Sequence, residues 1–326
     1  MRAALFTRPG GPEVIAIGTA ATPTPGANEI LVRVRAAGLN RADLMQRRGQ
    51  YPAPPGWPAD IPGLEYAGEV AGLGEGVRRW RVGDWVMGLV GGGAQAEAVV
   101  VHEDEALRVP DGLSFAEAGA IPEAFLTAYD ALTTRGRLAR GEQVLIHAVG
   151  SGVGTAAVQI AKQLGATVLG TSRSADKLAK AASFGLDTGI DTSRTSFADA
   201  ITEPVNVVID VLGGPALAEN LAVLAPRGRL VLLGGLLGSK VDADFNPVLR
   251  KRLEIVGSVM RTRLHPERVE VVREFSERML PLFDGGAQVA ALRPVLERTV
   301  PMEQLAEAHA AMERNETFGK VVAVWD

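Results

Sequence analysis

The stretch that most constrains this chain is Leu145–Ala166, LIHAVGSGVGTAAVQIAKQLGA, where Gly150, Gly152, Gly154 and Gly165 punctuate a run with no charged residue before Lys162. Its apolar residues change period halfway. Val144, Leu145 and Ile146 form a short β-rich run, as in a strand buried on both faces. Val153, Ala156, Ala157, Ile160, Ala161 and Leu164 then recur at helical spacing, and Gly165 stands where a C-terminal cap belongs. With Gly-Ser-Gly-Val-Gly at its centre the segment makes a poor membrane helix. It reads as strand, glycine turn, helix. Such a turn aims backbone N–H groups and the positive end of a helix at one spot, which suits a diphosphate. The strict G-x-G-x-x-G pattern is absent, because Val149 and Ser151 hold its first two glycine positions. What remains is Ala148-x-x-Ser151-x-x-Gly154, and on its own it leaves a phosphate-binding turn and a purely structural turn both open.

The chain around the turn favours phosphate. Strand-like runs VLIHA, TVLGTS, DTGI, VNVVIDV, RLVLLGG and LEIVGSV alternate with helix-like or crossover segments that include 174–183, 197–202 and 214–224. Six strands with crossovers is the count of a complete doubly wound dinucleotide-binding domain. The chain ahead of residue 122 differs: short strands such as EILVRVRAAG, EYAGEVAGLG and GDWVMGLV are broken by Gly and Pro, and one helix-like segment, NRADLMQRRGQ, interrupts them. Helix-like 266–280 and 302–314 and a strand-like GKVVAVW close the chain. The expected organisation is α/β, a β-rich domain from 1–122 and 266–326 with a cofactor domain, 123–265, inserted between its parts.

With 47% hydrophobic and 22% charged residues, the 326-residue chain has the composition of an ordinary soluble protein. A net charge of −4 argues against nucleic acid or an anionic membrane as partner. No signal-peptide pattern precedes the first strand-like run, RAALF, so a cytoplasmic location is expected. There is no cysteine, hence no disulfide, thiolate zinc site or cysteine nucleophile, and His102, His147, His265 and His309 lack metal-ligand spacing.

At the end of the second cofactor-domain strand, an acidic residue would bond a ribose 2′-hydroxyl and a basic one would accommodate a 2′-phosphate. Here Ser172 takes the acidic place, followed by Arg173, Ser174 and Lys177. These residues can donate to a phosphate, which points to NADPH over NADH. Ser174 as a helix N-cap beside a solvated basic face is the other reading, and one serine can serve both.

PGLEYAGEV, GAQAEAVVV, IPEAFLTAYDAL, LIHAVGSGVGTAAVQIA and GKVVAVW together resemble the medium-chain dehydrogenase/reductase superfamily, and within it the zeta-crystallin-like quinone oxidoreductases. LNRADLMQRRGQYP, IPEAF and the Ala-x-x-Ser-x-x-Gly turn are similar to the narrower tumour-suppressor-inducible NADPH:quinone oxidoreductase subgroup. The resemblance covers essentially the whole chain. It implies a GroES-like substrate-binding domain, a Rossmann domain with six parallel strands, bound NADPH, ortho- or para-quinone substrates and a homodimer. Zinc-dependent relatives have Gly-His-Glu where this chain has Gly63-Leu64-Glu65, so no metal is expected. Carried over by position, the resemblance puts Asn40 and Tyr51 near nicotinamide and substrate, Thr127 beside the cofactor, and Ser151, Gly152 and Val153 on the diphosphate. It puts Lys177 at the 2′-phosphate, and Gly234, Gly235, Leu236 and the stretch after Val259 toward the nicotinamide. Thr192 and Met45 replace tyrosines found in relatives, which bears on cofactor affinity and substrate choice.

For chemistry, Tyr51 is the candidate donor to a developing oxyanion, or else a pocket wall. Asn40 orients an amide or carbonyl, or else caps the NRADL helix. Asp210 and His147 read as structural partners. The leading expectation is an NADPH:quinone reductase. The alternatives are an NADPH-dependent reductase of enones or enoyl thioesters and a nucleotide-binding protein whose turnover is incidental.

Overall fold

The structure, a computed structural model, describes residues 1–284 and 292–325. Residues 285–291 and 326, inside the expected return segment 266–326, lie outside the described residues. Two compact units separate, Met1–Leu126 with Met260–Asp326, and Thr127–Val259.

The first unit opens with an antiparallel ribbon of β1 (Arg2–Phe6) and β2 (Ile15–Thr19). Then follow β3 (Glu29–Gly38), α1 (Arg41–Arg47), β4 (Glu65–Leu73), β5 (Trp85–Leu89), β6 (Ala98–His102), β7 (Ala106–Arg108), α2 (Phe115–Ala118) and the start of α3 (Pro122–Tyr129). Ile30, Val32, Val34 and Ala36 alternate along β3 onto the buried face, the period-2 pattern of a half-buried strand. Ile30, Val32 and Val34 meet Val70 of β4, Val86 of β5, and Val99 and Val101 of β6 in one core, while Ala36 packs with Ala120 and Val322. At a bulge between β3 and β4, a Cβ on Gly68 would stand 2.0 Å from the Arg33 carbonyl oxygen, so only glycine fits there.

The second unit carries β8 (Gln143–Ile146), α4 (Gly152–Gln163), β9 (Thr167–Ser172), α5 (Ala175–Ala182), β10 (Thr188–Asp191), α6 (Phe197–Ala200), β11 (Val205–Asp210), α7 (Leu217–Val223), β12 (Leu224–Leu232), α8 (Asn246–Lys251) and β13 (Glu254–Gly257). All six strands are parallel, in the order β10-β9-β8-β11-β12-β13. This is the doubly wound order, with its reversal between β8 and β11. Each strand-like run of the sequence is a strand here. The helix expected over 197–202 stops at Ala200, since Ile201 is already extended. Segment 214–224 is a 3₁₀ turn, Gly214–Ala216, leading into α7. Among the described residues no helix is long and apolar enough to cross a membrane.

The chain then returns to the first unit through α9 (His265–Arg278), β14 (Leu296–Pro301), α10 (Leu305–Glu313) and β15 (Lys320–Val324). β15 inserts beside β3, giving the sheet β14-β15-β3-β4-β5-β7, with β6 also paired to β3. Its first residue, Lys320, is buried and spends all three ammonium hydrogens: on the Leu39 carbonyl at 2.8 Å, on Asn40 Oδ1 at 2.6 Å and on Glu65 Oε1. Glu65, at 0% exposure, also accepts from Asn40 Nδ2 at 2.9 Å and from the Glu123 backbone N–H at 2.8 Å. Gly38 makes room for this carboxylate, since a Cβ there would lie 2.3 Å from Glu65 Oε1. Removing one partner of such a pair strands a buried charge, which costs about 3–5 kcal/mol. Lys320→Met is therefore expected to destabilise the first unit by that amount in urea denaturation followed by Trp fluorescence. A loss below about 1 kcal/mol would show that the pair is solvated.

Candidate active site

The turn after β8 is built for a tight strand-to-helix passage. Ala148 adopts the left-handed region at φ 52°, and a Cβ on Gly154 would lie 2.4 Å from the Ala148 carbonyl oxygen. The glycine at this last position of the degenerate pattern is thus obligatory. Ser151 is the N-cap of α4, its Oγ accepting from the Gly154 N–H at 3.0 Å. That leaves the N–H groups of Gly152 and Val153 as the uncapped donors of the first helical turn, at the positive end of the helix.

Beneath the turn runs a buried polar chain. Asn220 Nδ2 donates to Asp210 Oδ2 at 3.1 Å, which turns Asn220 Oδ1 toward His147 Nε2 at 2.7 Å. His147 therefore carries its proton on Nε2 and accepts at Nδ1 from the Thr171 hydroxyl at 2.9 Å. Burial holds His147 well below the ordinary histidine range, against the pull of Asn220, Asp210 and Glu219. Asp210 Oδ1 accepts from the Leu212 and Gly213 N–H groups at 2.6 and 3.3 Å and so shapes the turn after β11. Four elements, β9, β11, α7 and the end of β8, are locked under one ligand-type turn. Both residues are structural partners.

At the end of β9, Ser172 Oγ accepts from the Ser174 N–H at 3.1 Å, and Ser174 Oγ caps α5 by accepting from the Lys177 N–H at 3.4 Å. Arg173 is exposed and Lys177 half-buried beside it. The one acid of this turn, Asp176, is paired with Lys180 at 2.9 Å. Thr192 continues β10, its N–H donating to the Ser172 carbonyl at 2.9 Å. Gly234, Gly235 and Leu236 form an exposed loop after β12, tied by the Leu236 N–H to the Val211 carbonyl at 3.0 Å. Gly213 lets that loop approach, since a Cβ there would lie 2.7 Å from Gly235 Cα. The Thr127 hydroxyl is buried without a partner. The uncapped N–H groups of the helix start that follows β8, the strand at the sheet's topological switch, fit a dinucleotide diphosphate. The structure brings Ser151, Gly152 and Val153 together at one helix start and Arg173, Ser174 and Lys177 at another.

In the first unit, Asn40 leads α1 as its cap residue: its backbone N–H donates to Asp43 Oδ2 at 2.7 Å. Its carboxamide hydrogens go to Glu65 and, at 3.3 Å, to the Gly38 carbonyl, and its oxygen takes Lys320. The amide is fully engaged as a donor in this network. Asp43 is buried with Oδ1 unpartnered, and burial pushes its carboxyl up to about 6. Met45 is 38% exposed on α1.

Tyr51 is half-buried, and burial raises its phenol above the ordinary range, with Arg261 opposing and Glu123 adding to the rise. Arg261 donates from Nη1 to the Tyr51 carbonyl at 3.1 Å, from Nη2 to Gln46 Oε1 at 2.6 Å and from Nε to the Gly91 carbonyl at 2.8 Å. Its guanidinium carbon stands 4.9 Å from the Tyr51 ring centroid. Sequence reading does not single out Arg261. The only local sign is an arginine directly after the apolar pair Val259-Met260. Leu64 is a core residue, and among the described residues no group of three His, Cys, Asp or Glu side chains is placed to hold a metal.

A β-rich unit made from both chain ends, and a doubly wound sheet with a capped glycine turn, define a two-domain dinucleotide oxidoreductase. Residues 26–111 match the alcohol dehydrogenase GroES-like domain and residues 152–279 the zinc-binding dehydrogenase domain. The chain belongs to the medium-chain dehydrogenase/reductase family. The human synaptic vesicle membrane protein VAT-1 homolog is 33% identical, over 99% of this chain and 86% of its own length. The Pseudomonas aeruginosa quinone oxidoreductase is 33% identical, over 97% of each chain. Among solved structures, the Escherichia coli quinone oxidoreductase complexed with NADPH superposes with a TM-score of 0.89 at 28% identity, covering 100% of both chains. The CurK enoyl reductase does so at 0.86 and 29%, covering 99% of this chain and 98% of its own.

His147 gives a pH test of the turn. Its folded pKa lies below the unfolded value near 6.5, so its stabilising contribution is complete above that value and declines as pH falls beneath it. His309 acts in the same sense, held down to about 3 by burial and by Arg47. Thermal midpoints measured from pH 7.5 to 5 are expected to fall for the wild type. In His147→Leu they are expected to start lower and fall less steeply. Parallel pH profiles would show that His147 is not buried neutral.

Proposed function

We propose that the chain is an NADPH-dependent, metal-independent quinone reductase of the zeta-crystallin-like branch. The observation that carries the reading is Tyr51: a phenol held beside a buried cation, in a unit whose expected ligand position is occupied by a core leucine, Leu64. A quinone becomes aromatic on gaining a hydride and a proton, so it needs a positioned donor to oxygen and little other assistance. The bound nicotinamide supplies the hydride.

The chain's own groups do the rest. The Gly152 and Val153 N–H groups hold diphosphate oxygens, the Thr127 hydroxyl finds its partner on the cofactor, and Gly234–Leu236 border the nicotinamide end. Arg173, Ser174 and Lys177 take the 2′-phosphate. Tyr51 donates a hydrogen bond to the quinone oxygen that gains negative charge, and Asn40 keeps α1 and its following segment in place through Glu65 and Lys320. The similarity to quinone oxidoreductases, one of them complexed with NADPH, supports this reading. The likeness to an enoyl reductase supports a second, reduction of activated carbon–carbon double bonds, in which Tyr51 delivers a proton during turnover.

A homodimer accompanies the proposal. Among the described residues β13 is an edge strand, paired on one side to β12, with Ile255 exposed, and Phe245 and Leu249 nearby in sequence are 58% and 74% exposed. Edge-to-edge pairing of two copies about a two-fold axis would cover it.

Cofactor choice is tested at Lys177. A charge-assisted hydrogen bond is worth about 1.5–3 kcal/mol, so Lys177→Ala is expected to weaken NADPH binding roughly 10- to 150-fold and to leave NADH binding nearly unchanged. Fluorescence titration of both cofactors into both proteins checks this, and equal losses would refute it.

The reaction is tested at Tyr51. Losing one hydrogen bond costs about 0.5–1.5 kcal/mol, so with an ortho-quinone Tyr51→Phe is expected to keep at least roughly a tenth of kcat/KM. A general acid is worth about 10²–10⁴-fold, so a hundredfold drop would overturn the quinone mechanism in favour of the second reading. Steady-state kinetics with one ortho-quinone and one enone decide between them.

A further inference from the structure

We propose that Arg261 is the positioning residue of Tyr51, a buried cation that holds the phenol in register and strengthens it as a donor toward an oxygen gaining negative charge. The proposal rests on Tyr51 being the donor of the reading above. Arg261 is only 8% exposed, yet its three hydrogen bonds all end on neutral oxygens, those of Gly91, Tyr51 and Gln46. No ion pair neutralises it among the described residues; Asp43 and Glu123 act on it only through space. Burying a guanidinium without a counter-ion is costly.

Cross-linking alone does not explain that cost, because a neutral amide side chain could tie the same backbone carbonyls. The charge has a specific neighbour. The guanidinium lies against the Tyr51 ring, 4.9 Å from its centroid, and also holds the carbonyl of the same residue. The backbone tether sets where Tyr51 begins and the ring contact sets where its plane lies. A positive charge at this range favours negative charge on the phenol oxygen. It thereby makes the O–H a better donor to an oxyanion. The charged groups acting on Tyr51 are Arg261, which favours its ionisation, and Glu123, which opposes it, while burial also opposes it. Arginine has five N–H hydrogens, so two remain beyond the three tethers.

The chain has three tyrosines, which makes the phenol directly observable. The other two, Tyr66 and Tyr129, are fully buried. Full-length protein labelled with [¹³Cζ]tyrosine should give three ring-carbon resonances, and Tyr51→Phe assigns one of them. In Arg261→Gln the Tyr51 resonance is expected to titrate at higher pH than in the wild type. With a quinone substrate, Arg261→Gln is expected to lose about 3- to 10-fold in kcat/KM in the wild-type background and less than about twofold on top of Tyr51→Phe. An unmoved Tyr51 titration in folded Arg261→Gln, or equal losses in both backgrounds, would overturn the proposal. If Arg261→Gln does not fold, Arg261→Lys decides. It puts a cation there that can shed its charge when desolvated and has no planar group to stack, and its loss is expected to be non-additive with Tyr51→Phe, whereas strict additivity overturns the proposal. The titration needs no substrate. An unmoved resonance refutes the role of Arg261 and leaves quinone reduction standing, while a shifted resonance in a protein that reduces no quinone refutes the activity alone.

Discussion

The buried pair of Lys320 and Glu65 is the interaction on which the first unit depends. β15 comes from the far end of the chain, after the entire second unit has been inserted, and it must find β3 rather than any other sheet edge. Backbone pairing alone does not specify that edge. Lys320 does, because its three donors match only the carbonyl of Leu39, the amide of Asn40 and the carboxylate of Glu65. The same carboxylate accepts from the start of α3 through the Glu123 N–H and from the cap residue of α1 through Asn40. One charge pair thus sets β15, β3, β4, α1 and α3 relative to each other. Gly38 shows how tight the arrangement is, since no side chain fits between that strand and the carboxylate.

A different device does the same work in the second unit. The glycine turn keeps only one of the three glycines that the strict dinucleotide pattern would supply, Gly154, yet its path is fully determined. Ala148 bears the left-handed conformation, Gly154 admits the Ala148 carbonyl, and Ser151 ends the strain by capping α4. The His147–Asn220–Asp210 chain supports the turn from below with neutral and anionic partners in a single satisfiable arrangement. A polar chain that can be satisfied in only one way gives rigidity, which a phosphate cradle needs more than it needs apolar packing.

Much of this was legible in the sequence, for physical reasons that differ by element. The six parallel strands are short runs dense in Val, Ile and Leu because each is covered on both faces, and α4 shows its buried stripe at helical spacing. Ser174 was readable as a cap because a cap bonds within three residues of itself. The end of α6 was not, since Ile201 turns extended where the apolar pattern would carry the helix on. Asn40 was readable as a helix start and as a site residue, but its commitment to Glu65 and Lys320 depends on partners 25 and 280 residues away. Arg261 lies further beyond reach: its acceptors are 170, 210 and 215 residues distant, and the only sign within its own segment is the apolar pair Val259-Met260 ahead of it.

The first unit handles its buried charges in three ways, and the contrast explains why an arginine stands beside Tyr51. Lys320 is paired with Glu65, and Arg47 with Glu313 and His309. Asp43 has one oxygen without a partner, and burial moves its carboxyl up to about 6, so that it can take up a proton near neutral pH. Arg261 has neither remedy. A guanidinium does not release its proton in a protein, whereas a lysine placed there could shed its charge when desolvated. Burial does pull Arg261 downward, but from a value far above neutrality. Its charge therefore persists, stabilised by three oxygens and an aromatic face instead of a counter-ion. A carboxylate at that position would cancel the field at Tyr51, and a lysine would make it depend on pH. An arginine without an ion-pair partner supplies a field at the phenol that outweighs the opposing field of Glu123 and that the arginine's own titration does not switch off.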